Sequence, residues 1–379
     1  MTAFLFYFFT IAPSIYAAIS ITEYDVPSPA NSEDITLGPD SNIWFTESSS
    51  NKVGKITAAG VVTEYDIPTP NSFPWGITAG PDGNLWFTEC DTDKIGKITT
   101  TGVVTEYDLP TTGNCPLDIV SGADGNLWFI ESYTDKIAKI TTTGTVTEYS
   151  VPAADPDLWD LASGLDGNIW FTDGATNKIG KITTTGVVTE YSLPSAGSRS
   201  NYITAGPDGN LWFTECDTDK IGKITTTGVV TEYNLPNSGA CPLGITAGPD
   251  GNLWFTEFNT NKIGMITLAG NITEHDIPSP DSGPYVITAS PDSIWFTEMN
   301  ANKIGHLTGL PILSGNSGTD EDGNSGAASS SSGTLPAPPD TGFGGAAAHG
   351  FNGTILAHSF ISTLLVSAGL GLRRYAKLK

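Results

Sequence analysis

Positive charge is what this sequence has least of. Its 17 Lys and Arg stand against 41 Asp and Glu, for a net charge of -24 at pH 7. Nucleic-acid binding rests on neutralising phosphates with basic side chains, so that class of partner is excluded. The acidity suits a solvated, exported surface, kept soluble by its charge, or one that meets cations. Histidine is rare as well, with four in the chain. His275 and His306 are lone residues in repeat positions, lack metal-ligand spacing and read as incidental. Helical periodicity is missing from residues 20–308 altogether. What the chain does have is core material: apolar residues make up 39% and aromatics 10%.

The two ends read as targeting rather than fold. Residues 3–18 are an apolar run closing on small residues, as in a signal peptide, although no Lys or Arg precedes it. A non-cleaved anchor is the other reading, and the segment is bounded at 1–19. Residues 309–350 are rich in Gly, Ser and Pro and cannot bury a core, so they read as a flexible spacer. Within it, Pro338-Pro339-Asp340-Thr341-Gly342 resembles a sortase sorting signal, with Pro338 where Leu is expected. In residues 351–379, Ile355–Leu372 is just long enough to span a bilayer as a helix. Arg373, Arg374, Lys377 and Lys379 then fit a cytoplasmic tail. The expectation is an exported, monomeric head held at the cell surface, by this membrane helix or by linkage to the wall.

Between the ends lies a repeat. Trp-Phe recurs at Trp44, Trp86, Trp128, Trp170, Trp212, Trp254 and Trp295, at intervals of 42 residues and, last, 41. Residues 80–107 and 206–233 are identical. One unit reads as four short strands, A to D. Strand A holds Ile77, the Asp82-Gly83 turn leads to strand B at Leu85–Glu89, strand C is Lys94–Thr99, and strand D starts at Val103 and stops at Pro110. Four strands in about 40–45 residues is the spacing of a propeller blade. The region holds seven A-B-C triplets and seven D strands, but the first D strand, Ile21–Val26, precedes every A strand. Pairing it with the last triplet, Ile287–Thr308, closes a seven-bladed all-β propeller over residues 20–308.

Cys90, Cys115, Cys216 and Cys241 fall into two pairs with a shared spacing of 25 residues. In a propeller the members of each pair sit on one face at neighbouring blades, which predicts disulfides Cys90–Cys115 and Cys216–Cys241 in an exported chain. That face also carries the D-to-A loops, the only part of the unit that differs in every copy. Variable loops on a rigid scaffold are where binding is placed. Just ahead of each strand A stand Glu33, Trp75, Leu117, Trp159, Asn201, Leu243 and Tyr285, expected to ring the channel mouth. Trp75, Trp159 and Tyr285, with Asn201 beside them, could stack on a small molecule, glycan or peptide; the alternative is that they cap the core.

Strand B ends in an acid in every blade: Glu47, Glu89, Glu131, Asp173, Glu215, Glu257 and Glu298. Converging carboxylates repel, and a divalent cation would relieve that. Each acid also has a Lys five residues on, so a cross-strand ion pair such as Glu89–Lys94 is the structural alternative.

Units such as Ile77-Thr-Ala-Gly-Pro-Asp-Gly-Asn-Leu-Trp-Phe-Thr-Glu89 and Asn261-Lys-Ile-Gly264 resemble those of the virginiamycin B lyase family. The resemblance covers residues 20–308. It implies a seven-bladed propeller, magnesium, and opening of a cyclic depsipeptide antibiotic by C–O elimination at its ester. It also implies a His base ahead of the last strand A and a second His one blade earlier. Those positions hold Tyr285 and Leu243 here; the matching strand-B acid Glu298 is kept, and the second metal-binding acid becomes Gly283. Tyr is protonated near neutrality. The reading is therefore a non-catalytic binding head with Glu89, Glu257 and Glu298 beneath its variable loops. The alternative is a magnesium-dependent lyase.

Overall fold

The computed structural model describes residues 18–29, 31–153 and 156–311. The expected signal segment, spacer, sorting-like motif and membrane helix lie outside these residues. Among the described residues no helix is long and apolar enough to cross a membrane.

The described residues form 28 strands, β1 to β28 in chain order, in seven four-stranded antiparallel sheets. Blade 1 runs outward from the axis as β2 (Ser32–Leu37), β3 (Ile43–Glu47), β4 (Lys52–Ile56) and β5 (Val62–Asp66). Blades 2 to 6 repeat that order. Blade 7 joins both ends of the sequence: β26 (Pro284–Ala289), β27 (Ile294–Glu298) and β28 (Lys303–Thr308) are completed by β1 (Ser20–Asp25). Tyr24 lies opposite Ile304 in that closing pair. The one-residue shortening of the last repeat falls in the turn Ser290–Ser293, closed by a Ser290 N–H bond of 2.9 Å to the Ser293 carbonyl.

The motif residues explain why the ring holds. In Pro-Asp-Gly-Asn, Gly83 adopts φ +75°, which a side chain would strain, so the hairpin turns there. Asp82 caps the same turn and accepts the Trp86 indole N–H at 3.0 Å, so the large ring is buried without losing its hydrogen bond. Phe87 packs over Gly96, where any Cβ would meet its ring at 2.1 Å. The Thr of Trp-Phe-Thr-Glu ties blades together. Thr88 Oγ1 accepts Gly76 N–H at 2.9 Å and donates to the Leu117 carbonyl of the next blade at 2.5 Å. On the outer strand, Glu106 takes both the N–H (2.9 Å) and the hydroxyl (2.8 Å) of Thr69 from the preceding loop. Glu23 does the same for Ser279, so the ring closes with the clamp used between other blades. His306 and His275 take the places held by Lys97 and Tyr107 in blade 2 and stack on Trp295 (3.7 Å) and Trp254 (5.7 Å).

Candidate ligand-binding site

The antiparallel register puts the start of strand A, the end of strand B, the start of strand C and the end of strand D at one edge of each blade. In blade 2 these are Pro74, Glu89, Lys94 and Asp108. The variable D-to-A loops and the B-to-C loops share that face. Both expected disulfides stand on it, Cys90–Cys115 and Cys216–Cys241, each joining a B-to-C loop to the loop leading into the next blade.

The residues ahead of strand A lie under this face rather than on it. Trp75 is 2% exposed, Trp159 2%, Asn201 5% and Tyr285 4%. Trp75, Trp159 and Tyr285 form an apolar cluster with Leu117, Leu243 and the four cysteines. Trp159 gives its indole N–H to Asp157 at 3.0 Å, and Thr172 of the preceding strand B holds the Asn201 carbonyl at 2.8 Å. Four partly buried side chains pack on the cluster and reach solvent: Phe73, Tyr133, Phe258 and Met299. Phe258 meets Tyr285 edge to face at 6.4 Å, and Phe73 lies 5.6 Å from Trp75. Sequence reasoning passed over these four because none stands in the strand-A column: Tyr133, Phe258 and Met299 follow strand-B acids, and Phe73 lies in the loop ahead of Trp75.

The strand-B acids are fully buried, and the expected ion pairs are not how they are held. Glu89 does face Lys94 across the hairpin. The lysine ammonium turns outward to Asp108, and its equivalents go to Asp66 (2.8 Å), Glu190 (3.0 Å) and Glu232 (2.7 Å), all on strand D. A lysine stem covers apolar surface while its charge seeks water, so the ammonium reaches past the buried inner acid to strand D. Each inner acid is held instead by a hydroxyl three residues on. Glu47 accepts Ser50 at 2.7 Å, Glu215 accepts Thr218 at 2.8 Å and Glu257 accepts Thr260 at 2.5 Å; Thr92, Thr134 and Thr176 serve Glu89, Glu131 and Asp173. Burial, only partly offset by these bonds, pushes Glu257 up to about 7 and Glu89 to about 8.

Blade 7 breaks this pattern. Ala301 stands where the hydroxyl should be, and neither oxygen of Glu298 makes a well-formed hydrogen bond; the Ser282 hydroxyl, near enough to lower its pKa, is committed to Asn261 at 2.9 Å. Burial and then the neighbouring Glu23 raise Glu298 to about 8. Met299 follows it in the chain, Pro284 pairs with it across the sheet, and Tyr285 comes next after Pro284. Burial drives the Tyr285 hydroxyl well above its ordinary value of 10.0, so it keeps its proton throughout the physiological range. Gly283 adopts φ +64°, and the Asn300 side chain fills the space beside it, 2.6 Å from any added Cβ.

These features can be set against known proteins. The sequence matches the virginiamycin B lyase family over residues 12–157 and 116–313, which together span the propeller. The chain belongs to that family. Virginiamycin B lyase from Staphylococcus aureus is 37% identical, with a TM-score of 0.74 over 76% of this chain and 99% of the other. A streptogramin B lyase is also 37% identical, with a TM-score of 0.73 over 76% of this chain and 97% of its own. A catalytically inactive histidine-to-alanine variant of the S. aureus enzyme, with quinupristin, is 36% identical at a TM-score of 0.74, over 76% of this chain and 99% of that one. No curated protein sequence matched the chain.

The magnesium that the family implies can be tested on these residues. Magnesium is held by carboxylate and other oxygen ligands in near-octahedral order. Glu298 offers two free oxygens, but the second acid is Gly283 and its space is taken by Asn300. Among the described residues no three His, Cys, Asp or Glu side chains gather as a metal-binding group. The residues present do not fit the family's metal site.

Proposed function

We propose that this family member is the ligand-binding head of an exported, surface-displayed protein and that it lacks lyase chemistry. The observation that carries the reading is Tyr285, which stands where the resemblance places the catalytic base. A base must be able to take a proton near operating pH. A buried phenol held well above 10 already has its own. The binding surface is the variable-loop face over blades 6 and 7, where Phe258 and Met299 supply apolar contact and Glu298 free acceptors. The inactive S. aureus variant with quinupristin supports the idea that binding can outlast catalysis in this family. The two disulfides support export, because such bonds persist in oxidising compartments. Tethering by the C-terminal apolar segment belongs to the same proposal.

A lyase that opens the ester of a type B streptogramin is the second reading, and the unpartnered Glu298 favours it. Incubation of the protein with such an antibiotic and magnesium, followed by mass spectrometry, separates the two. The intact ring is expected to persist while binding is still detected by calorimetry. A linearised product that disappears in Glu298→Ala would overturn the non-catalytic reading.

A further inference from the structure

In blade 6 the turn from strand C to strand D carries a residue out of keeping with the repeat. The position leading into strand D is Val61, Val103, Val187 and Val229 in four blades, Thr145 in blade 3 and Ser20 in blade 7. In blade 6 it is Asn271. Thr273 follows two residues on, in a column that is Thr in every blade: Thr22, Thr63, Thr105, Thr147, Thr189 and Thr231 elsewhere. Asn271-Ile272-Thr273 is therefore an Asn-x-Thr triplet set apart from the other blades by its first residue. The sequence has one other, Asn352-Gly353-Thr354, which lies outside the described residues.

The turn itself has no need of an asparagine. Asn serves turns by adopting left-handed backbone or by bonding its side chain to nearby backbone. Here Gly270 takes the left-handed conformation, at φ +90°, and Asn271 does not. The backbone of Asn271 is fixed by Thr267 alone: its N–H donates to the Thr267 hydroxyl at 3.0 Å, and its carbonyl accepts the Thr267 N–H at 2.9 Å. Among the described residues the Asn271 side-chain amide and the Thr273 hydroxyl have no hydrogen-bond partner. Both side chains are exposed, while Ile272 between them turns inward against the core. Residues two apart on extended chain share a face, so the amide and the hydroxyl point out together. The strand they open, β25 (Ile272–Asp276), is the outermost of its blade, with one edge unpaired. Their turn lies at the edge of the blade opposite Glu257, Lys262 and Asp276, and so away from the variable loops.

We propose that this turn presents Asn271 as the acceptor of an N-linked glycan, a proposal that rests on the exported reading of the chain. An exposed Asn-x-Thr on an exported surface is the unit that this modification recognises. The donor is a lipid-phosphate-linked oligosaccharide. The Asn271 amide nitrogen forms a bond to the anomeric carbon of the first sugar, and the bond from that carbon to the phosphate oxygen breaks. The lipid phosphate leaves with the electron pair, and the nitrogen gives up one of its two protons. The glycan stands on the rim, clear of the variable-loop face. It also covers the free edge of β25, which otherwise offers a pairing template to a strand of another molecule.

Mass spectrometry of the full chain isolated from the cells that make it tests this. Trypsin releases residues 263–303 as one peptide, in which Asn271 opens the only such triplet. The expected result is a sugar mass increment on that peptide, lost in Asn271→Gln and in Thr273→Val. Both side chains are exposed, so circular dichroism should be unchanged in either variant. Val229→Asn completes the same triplet with Thr231 in blade 5 and should gain an increment of its own. Alkylation of free thiols in the same sample reads export separately, through Cys216 and Cys241. An unmodified Asn271 beside oxidised cysteines would overturn the glycan and leave export standing; beside free thiols it would overturn both. An increment that survives Thr273→Val, or none in Val229→Asn, would mean that the turn and its triplet are not what is recognised, and the proposal would fall.

Discussion

Blade 7 and the six blades before it are built from one sequence unit, yet they solve the same problem differently. In blades 1 to 6 the chain runs A to D without interruption, and a Ser or Thr hydroxyl holds the strand-B acid. In blade 7 the outer strand comes from the far end of the sequence, and the acid is left without a donor. A repeat that keeps a residue while deleting its partner marks that residue as available for another task. In the proposed reading Glu298 therefore separates a site from a scaffold, even though its strand is as regular as any other.

The largest effect expected from breaking this contrast is at the closure. Deleting Ser20–Asp25 leaves β28 unpaired on one side and removes the Glu23 clamp on Ser279. Stability should fall by about 5 kcal/mol, a sizeable share of what a domain has, with loss of a single cooperative urea transition. An unchanged transition would mean that the ring does not depend on its closing strand.

Next comes the charge on Glu298. Its folded value of about 8 lies above the ordinary 4.5, so the folded protein holds a proton that the unfolded chain releases between those limits. The carboxyl contributes its full stability below about pH 4.5 and loses it progressively as pH climbs through 8. Glu298→Gln should remove that slope. At pH 8.5 the variant is expected to be more stable than the wild type by on the order of 2 kcal/mol, and at pH 4 to match it. Denaturant midpoints across pH 4–8.5 check both the sign and the window.

The fold was legible because its information is periodic. Trp44 to Trp295 set the blade count, and the unpaired first D strand dictated closure. The cysteine spacing carried its own pairing for the same reason. The ion pairs were misread because register tells which residues face each other, not which of two carboxylates a long lysine reaches. Glu89 and Asp108 both oppose Lys94, and solvent access decided between them. The aspartates of the innermost strands were missed for a different reason. Their column reads Asp34, Gly76, Asp118, Asp160, Tyr202, Gly244 and Val286, which looks like drift until Asp34, Asp118 and Asp160 are seen to accept the backbone N–H groups of Ile77, Leu161 and Ile203 in the next blade. The isolation of Glu298 could have been read from Ala301, since a hydroxyl stands three residues after the acid in every other blade.

That last point gives the smallest and sharpest test, a reciprocal exchange. Ala301→Thr should supply blade 7 with the missing donor, and Thr260→Ala should make blade 6 resemble blade 7. A hydrogen bond to the ionised form lowers a carboxyl's pKa, so Glu298 should move down from about 8 and Glu257 up from about 7. At neutral pH the first change should stabilise and the second destabilise, each by about 1 kcal/mol, the usual net value of one such bond. Carboxyl carbon shifts in an NMR titration would resolve the two groups separately. If the hydroxyl alone distinguishes the blades, ligand affinity at the blade 7 mouth should fall in Ala301→Thr and stay unchanged in Thr260→Ala. If affinity ignores both exchanges, Glu298 is spare rather than functional, and the binding surface rests on Phe258, Met299 and the variable loops.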